Sequence, residues 1–577
     1  MGKTIEKWRN VLALLLVFSW ILSGSVGCMT PEKAVRTADE SGKRLAMAFW
    51  QHQTGRTNEF DISRPADALS LRLAMIASTN SEANIVFPKL PEITPVISNS
   101  VWVLSLSDAL MIAARNDRQY QTLKEAVFTA ALDLDYEQFK FETTFSGMIL
   151  GALSGTPGDA TAEGNAAAGA SRKFENGSVL AGNLAMDVAK LLQNDWQSAG
   201  FVGDLSMTVP LLRGSGRDIV REDLTQAEQN LIYAIHRFEY YRQTYAVTVA
   251  SAYLNVLGYA QQLVNSVDNE RNLRENSRRA DMLFKAGRMK SIDVAKAQTE
   301  LLTGSSKVVS TRNTYETRLD AFKLTIGLPP ESRIELARIE LTHLAEEIKQ
   351  ASLSTQGGGL FADDQAASEV ALQNRHDLVV TRGQYVDSER KVKVAADALR
   401  ADMTFVGTGK AGATEISADG DSSNSDSQSW SARLRFDMPW NRRRERNAYR
   451  KQLVAFEQAK RSLEEKEDVV KSSVRNGIRN VAAAAAAYKI QSAALAVAEL
   501  RVESNRLFQQ SGRSTMRDVL EAQSDLLTAR NAFSSAMISW RISEMELRRD
   551  MGVLAIDSNG VLDLTTANVK DGAQNND

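Results

Sequence analysis

Side chains able to do chemistry are few in this chain and lie far apart. Its 577 residues hold one cysteine and four histidines. That excludes an internal disulfide and any Cys-built zinc or iron–sulfur site, and it leaves little for a His-rich metal cluster. There is no Ser/His/Asp grouping, no phosphate-binding glycine loop and no metal-ligand spacing. Carboxylates are plentiful, but on long amphipathic helices they ordinarily form a solvated face. The chain therefore reads as a non-enzyme that needs no cofactor. Two features keep chemical interest. Lys3, Lys7 and Arg9 precede the apolar run Val11 to Leu22, small residues follow, and the only cysteine closes Ser25-Val26-Gly27-Cys28. A charged start, an apolar run and a small-residue zone make a secretory signal over 1–27, and the run is too short to span a membrane. A thiol at Cys28 is placed as in a lipobox, where it would be diacylated, although Ser25 stands where that pattern usually has Leu. The other reading is a plain signal with an incidental cysteine. Either way the protein leaves the cytoplasm, and because one lipid anchor binds only marginally, a second membrane attachment is expected. The other feature is Arg442, Arg443, Arg444 and Arg446, which follow the last strand and come just after Trp440-Asn441. Cations oppose the dipole at a helix start, so they ask for a reason: phospholipid headgroups, with Trp440 as an interfacial anchor, or a solvated basic turn.

The elements that position these residues follow from composition and repetition. Hydrophobic content of 43% and charged content of 24% suit a folded protein and exclude disorder, collagen and a polytopic helical membrane protein. A net charge of −2 gives no reason to expect nucleic acid. After Pro157 the only prolines are Pro210, Pro329, Pro330 and Pro439, so long uninterrupted helices are possible. Gly287-Arg288-Met289-Lys290-Ser291-Ile292-Asp293-Val294 recurs as Gly512-Arg513-Ser514-Thr515-Met516-Arg517-Asp518-Val519, and the ungapped match runs on to Gly327 with Gly552. Pro210 pairs with Pro439, and Asn116 echoes Asn374. The chain is a tandem repeat. A signal peptide (1–27) and a lipidated extension (28–100) precede a first repeat (101–328), a linker (329–362), a second repeat (363–556) and a polar tail (557–577).

Each repeat opens with a helix, about 107–138 or 364–399, that leads into a period-two segment. Phe139, Phe141, Thr143 and Phe145 alternate with polar residues, as do Met403 and Phe405. After a polar or small-residue stretch, Gly151 to Ala199 or Gly412 to Gln428, comes a second strand. There Phe201, Leu205 and Met207 alternate with Asp204, Ser206 and Thr208, and Trp430, Leu434 and Phe436 with Ser431, Arg433 and Arg435. Period two marks half-buried strands. Two arginines on one face point to a wall between lipid and water, or to a half-exposed hairpin packed on helices. Arg217 to Ala286 and Arg442 to Gln510 lack proline and hold one glycine each, enough for helices of about 100 Å. In the second, Tyr449, Leu453, Phe456, Leu463, Val470 and Val474 form an imperfect heptad seam.

On these features together, residues 100–556 resemble the TolC-like outer-membrane efflux proteins. They are the duplicated helix, strand pair, long helix and shorter helix, the VPLLRG and MPWNRR transitions, and the two G-R-x-x-x-x-D-V-x-x-A-Q turns. The resemblance implies a mainly α fold with membrane β: a homotrimer whose chains each give four strands to a twelve-stranded outer-membrane barrel, continued by a periplasmic α-helical barrel. Open strand edges do not survive in lipid, which independently demands oligomers. The implied partners are a periplasmic adaptor, an inner-membrane pump and outer-membrane lipid. The implied function is a passive exit duct for efflux or type I secretion. The competing reading is a periplasmic adaptor or structural coiled-coil lipoprotein without a pore.

The resemblance also implies site residues. Asp518 and Glu521 match the paired acids of a constriction ring, where six carboxylates would favour cations and raise some pKa values. A local capping role, Thr515-x-x-Asp518, stands beside it. Asp293 matches a latch position, with Arg513 as its candidate partner because Ser514 occupies the usual arginine column. Gly287, Arg288 and Ser291, with Gly512, Arg513 and Thr515, match tips that mesh with adaptor hairpins; ordinary turn chemistry explains the glycines equally well.

Overall fold

The computed structural model describes residues 31–54, 102–156, 159–191, 197–354, 364–418, 421–438, 440–511, 513–557 and 562. Its long axis is set by two helical hairpins. The first is α5 (Glu222–Lys285) with α6 (Ser291–Thr325); the second is α10 (Arg443–Gln510) with α11 (Met516–Asp550). At 1.5 Å per residue, the 64 residues of α5 and the 68 of α10 each run about 100 Å. A four-residue turn, α4 (Arg217–Val220), precedes α5. The hairpins lie side by side through α5 and α11, leaving α6 and α10 on opposite flanks. Val470 and Val474 of the heptad seam are fully buried, and Phe456 stacks on Tyr385 with ring centroids 5.3 Å apart.

The opening helix of each repeat is two helices. In the first repeat α2 (Leu106–Asn116) is followed by α3 (Arg118–Phe139); in the second, α8 (Asp364–Asn374) is followed by α9 (His376–Asp397). A single helix over 107–138 or 364–399 is thus corrected to a break after Asn116 and after Asn374. Asp117 accepts from the Tyr120 N–H and caps α3. The far end of each repeat presses on the break. Gly327 and Gly552 have φ of 72° and 70°, and a Cβ on either would lie 2.8–2.9 Å from Asn116 or Asn374. Left-handed backbone costs an ordinary residue about 1–2 kcal/mol before any overlap. Gly327→Ala and Gly552→Ala are therefore expected to destabilise by about 2 kcal/mol or more. Gly287→Ala, with the same φ of 72° but open space around it, should cost only about 1 kcal/mol. Thermal unfolding of the three variants checks the order.

The stretch 329–362 is more than a linker. It carries β6 (Ile334–Leu336), which pairs in parallel with β1 (Trp102–Leu104), and α7 (Ile339–Ser354), whose Leu344 and Ile348 are buried with them. The extension contributes α1 (Pro31–Thr54), whose Ala46 and Trp50 pack on α3 and α5. Gln53 meets His236 Nε2 at 3.3 Å, while His236 Nδ1 lies 3.0 Å from Nδ1 of His376. Burial first, then the neighbouring His376, pushes the His236 pKa down to about 4. Below pH 6.5 the unfolded chain takes up this proton while the folded one stays neutral until about pH 4. The stabilisation is complete above pH 6.5 and drains as pH falls towards 4, by at most about 3 kcal/mol. His236→Gln is expected to flatten that slope in thermal unfolding followed from pH 7 to 4.5.

Among the described residues the sheet has six strands: β2 (Thr143–Thr156), β3 (Asp159–Lys173), β4 (Val179–Leu191), β5 (Gln197–Pro210), β7 (Asp402–Ala418) and β8 (Asp421–Asp437). They are antiparallel neighbours in chain order. This corrects the expectation of four strands per chain. Much of the supposed polar or small-residue stretch Gly151 to Ala199 is strand, including all of β3 and β4. The missed signal is the alternation of alanine and glycine with polar residues in β3, too weakly apolar to stand out. Cross-strand register makes the two faces plain. One row reads Phe145, Ala170, Gly182, Leu205, Gly409, Trp430; its neighbour on the other face reads Thr144, Ser171, Ala181, Ser206, Thr408, Ser431. The polar face is laced by hydrogen bonds between Thr144 and Ser171 (2.8 Å), Thr408 and Ser431 (2.7 Å), and from Asn183 to Asp204 (3.1 Å). Large side chains on the apolar face stay exposed in one chain, Phe145 by 83% and Leu205 by 56%.

Candidate functional site

The end of the helices farthest from the sheet is built from two tight turns. Each closes a long helix by the same backbone pattern: the Arg288 N–H donates to Leu283 O at 2.9 Å, and the Arg513 N–H to Phe508 O at 2.8 Å. Donation five residues back is the Schellman closure, which wants a left-handed residue just before. Gly287 supplies it, exposed and with nothing within 4 Å of an added Cβ. Gly512 lies outside the described residues, as does Cys28. The following helix starts differ. Thr515 caps α11 in a full capping box: Asp518 N–H donates to Thr515 Oγ1 at 3.3 Å, and the Thr515 hydroxyl and N–H donate to Asp518 Oδ2 at 2.7 and 2.8 Å. In the first turn Lys290 is the N-cap and makes no side-chain cap bond, with Ser291 already inside α6.

The acids are handled locally. Asp518 accepts from Thr515 and, at 3.3 Å, from the Ser514 hydroxyl, and the Thr515 side chain and then its backbone hold the carboxyl below the usual carboxylate range. Within one chain the cap thus shifts Asp518 opposite to the rise expected of a crowded ring. Glu521 lies 3.3 Å from Arg501 of α10, and the same guanidinium pairs with Asp525. Sequence reasoning missed Arg501, yet a signal existed: residues 501 and 521 are equidistant from the turn at 511, as facing residues of a hairpin must be. An exposed pair of this kind contributes about 0–1 kcal/mol, so it matters for charge at the tip more than for stability. Asp293 lies in the first turn of α6 and Arg513 in the exposed second turn. No ion pair joins them among the described residues.

At the other end of α10, Trp440 is 97% exposed, and Arg443, Arg444 and Arg446 are exposed beside it. Arg442 is instead occupied, its guanidinium donating to Leu399 O at the end of α9. The basic cluster therefore sits where the sheet gives way to helix. No group of His, Cys, Asp and Glu able to hold a metal occurs among the described residues.

Residues 367–553, most of the second repeat, match the family described as outer membrane efflux protein. No curated protein sequence matches the chain. Solved structures do. The outer membrane channel CmeC of Campylobacter jejuni superposes with a TM-score of 0.54 at 16% identity, covering 78% of this chain and 85% of that one. The outer membrane protein VceC of Vibrio cholerae gives 0.54 at 12%, covering 78% and 96%. The open state of the MtrE outer membrane channel of Neisseria gonorrhoeae gives 0.55 at 14%, covering 78% and 89%. At such identities the likeness establishes fold, and the family match is confined to the second repeat. Residues 367–553 match the outer membrane efflux protein family, and the chain as a whole has the fold of the outer-membrane channels it resembles.

Proposed function

We propose that the chain forms, as a homotrimer, an outer-membrane exit duct of a tripartite efflux or secretion system, passively conducting cargo delivered by an inner-membrane pump and its adaptor. The observation that carries this reading is the pair of open flanks. Among the described residues the sheet ends in unpaired edges at β2 and β8, which cannot face lipid. The helical layer ends in α6 and α10, both with exposed apolar residues seven apart: Leu302 and Val309 on one, Ile490 and Val497 on the other. Such stripes are coiled-coil seams awaiting a partner. With β2 and α6 on one flank and β8 and α10 on the other, head-to-tail copies close sheet and helices together. The adaptor or coiled-coil alternative has no use for a two-faced sheet.

In the assembled duct the turns form the periplasmic entrance, with Asp518 and Glu521 of three chains around it and Gly287, Arg288, Ser291, Gly512, Arg513 and Thr515 offered to the adaptor. Asp293 and Arg513, unpaired with each other in one chain, would latch between hairpins. Trp440, Arg443 and Arg444, with Arg442 buttressing the junction, mark the inner leaflet, and Cys28 would carry the lipid. Cell fractionation with gels run before and after heating tests the core of the reading: an outer-membrane, heat-modifiable trimer is expected, and a soluble monomer would overturn it. Planar bilayers test the entrance. Asp518→Asn with Glu521→Gln should shift the reversal potential away from cation preference. Arg501→Gln, which frees Glu521 and Asp525, should shift it the other way; unchanged selectivity in both variants would remove these residues from the constriction.

A further inference from the structure

We infer that the outer-membrane wall of this protein is an eighteen-stranded barrel, closed by pairing β8 of each chain with β2 of the next copy. The inference rests on the trimeric reading above. The sheet contributes six strands per chain, and an even number lets identical copies join head to tail with every neighbour antiparallel. Three observations make β3 and β4 part of the wall rather than an appended loop. Their register continues both faces: β4 places Leu184 and Met186 with Gly203 and Phe201 on the apolar side, and Asn183 donates to Asp204 on the polar side. Gly169 of β3 leaves room for that row, since a Cβ there would come within 2.5 Å of Asn183 and 2.8 Å of Ser146. The turn between β3 and β4 is docked at the helix junction. Glu175 pairs with Arg217 at 2.9 Å, and Gly177, at φ 89°, lies so close that a Cβ would be 2.9 Å from Gly214 O and Pro210 Cγ.

Strands about 4.8 Å apart and tilted about 40° close twelve into a backbone radius of about 12 Å and eighteen into about 18 Å. Barrels of 16–18 strands leave an aqueous channel. The outer-membrane passage is then wider than the helical tip beneath it, so size selection falls to the tip, and cargo that clears the tip meets a polar, water-filled exit.

The test uses the full-length protein extracted from outer membranes, with Cys28 alone as background. Native mass spectrometry counts the copies. Intermolecular disulfides are sought between Ser146→Cys on β2 and Ser429→Cys or Ser431→Cys on β8. Intramolecular ones are sought between Ser146→Cys and Asp204→Cys or Ser206→Cys on β5, which are about 14 Å apart across two intervening strands, beyond disulfide reach. Leu184→Arg on β4 is scored for membrane-inserted oligomer. Three copies, β8-to-β2 cross-links, no β2-to-β5 cross-link and at least a tenfold loss of inserted oligomer in Leu184→Arg are expected. Three copies with a β2-to-β5 cross-link and a tolerated Leu184→Arg would put the inserted hairpin outside a twelve-stranded wall, overturning the inference while the trimer stands. Two copies would make the barrel twelve-stranded from six-stranded sheets and overturn both.

Discussion

Leu205→Arg is expected to abolish insertion of the oligomer into the outer membrane, while Ser206→Arg, the next residue on the same strand, leaves it intact. The two side chains differ only in the face they occupy. Leu205 belongs to the apolar row between Gly182 and Gly409, and Ser206 to the polar row between Ala181 and Thr408. An arginine on the lipid face near the bilayer midplane costs about 2–4 kcal/mol, and a lumen substitution costs little. Every copy in the assembly bears the penalty, so about three times that figure opposes a trimer. Heat-modifiable oligomer in outer-membrane fractions is the readout. If both variants inserted equally well, the sheet would not be a membrane wall.

The second large effect lies far from the sheet, where α5 meets the C-terminal segment. Arg242 and Glu239 are buried together, with side chains 7% and 5% exposed and 3.2 Å between them. Arg242 also donates to Ile556 O at 2.7 Å, and Gln243 to Leu554 O at 3.3 Å, so the segment after α11 is tied back onto the first repeat. Arg242→Ala strands Glu239 in a dry site beside Tyr120, whose hydroxyl burial already pushes up to about 12. Removing one partner of a buried pair typically costs about 3–5 kcal/mol, whereas replacing both with apolar residues is often neutral. Arg242→Ala is expected to lose about that much in chemical denaturation, and Arg242→Met with Glu239→Leu to recover most of it. A double variant as unstable as the single one would mean that the Arg242 bond to Ile556 O, rather than the stranded charge, holds the segment.

These two sites differ in how far they could be read beforehand. The wall residues Leu205, Ser206, Leu434 and Arg433 were legible because period two is a local property of a strand: adjacent residues must face opposite ways whatever the chain does elsewhere. Helix length was legible for the same reason, since absence of proline over 217–286 and 442–510 acts within the segment itself. The glycines at 287, 327 and 552 could be matched by spacing, and all three show left-handed φ. By contrast, the buried Arg242–Glu239 pair looks like any exposed i,i+3 pair until the C-terminal segment covers it. Arg501 acquires its role only when the hairpin folds it against Glu521.

By itself, then, the sequence determined the duplicated order of elements, the very long helices and the two-faced strands, because each follows from spacing along one segment. Only the tertiary structure decided that the sheet has six strands rather than four, that α1 belongs to the body of the first repeat, and that Asp518 spends its carboxylate on a cap. The physical reason is the same in each case. Small residues such as Ala166, Ala168 and Ala170 carry little hydrophobic signal of their own and become part of an apolar face only beside Ile149, Leu184 and Phe145 of neighbouring strands. A partner across the fold supplies what the local pattern lacks.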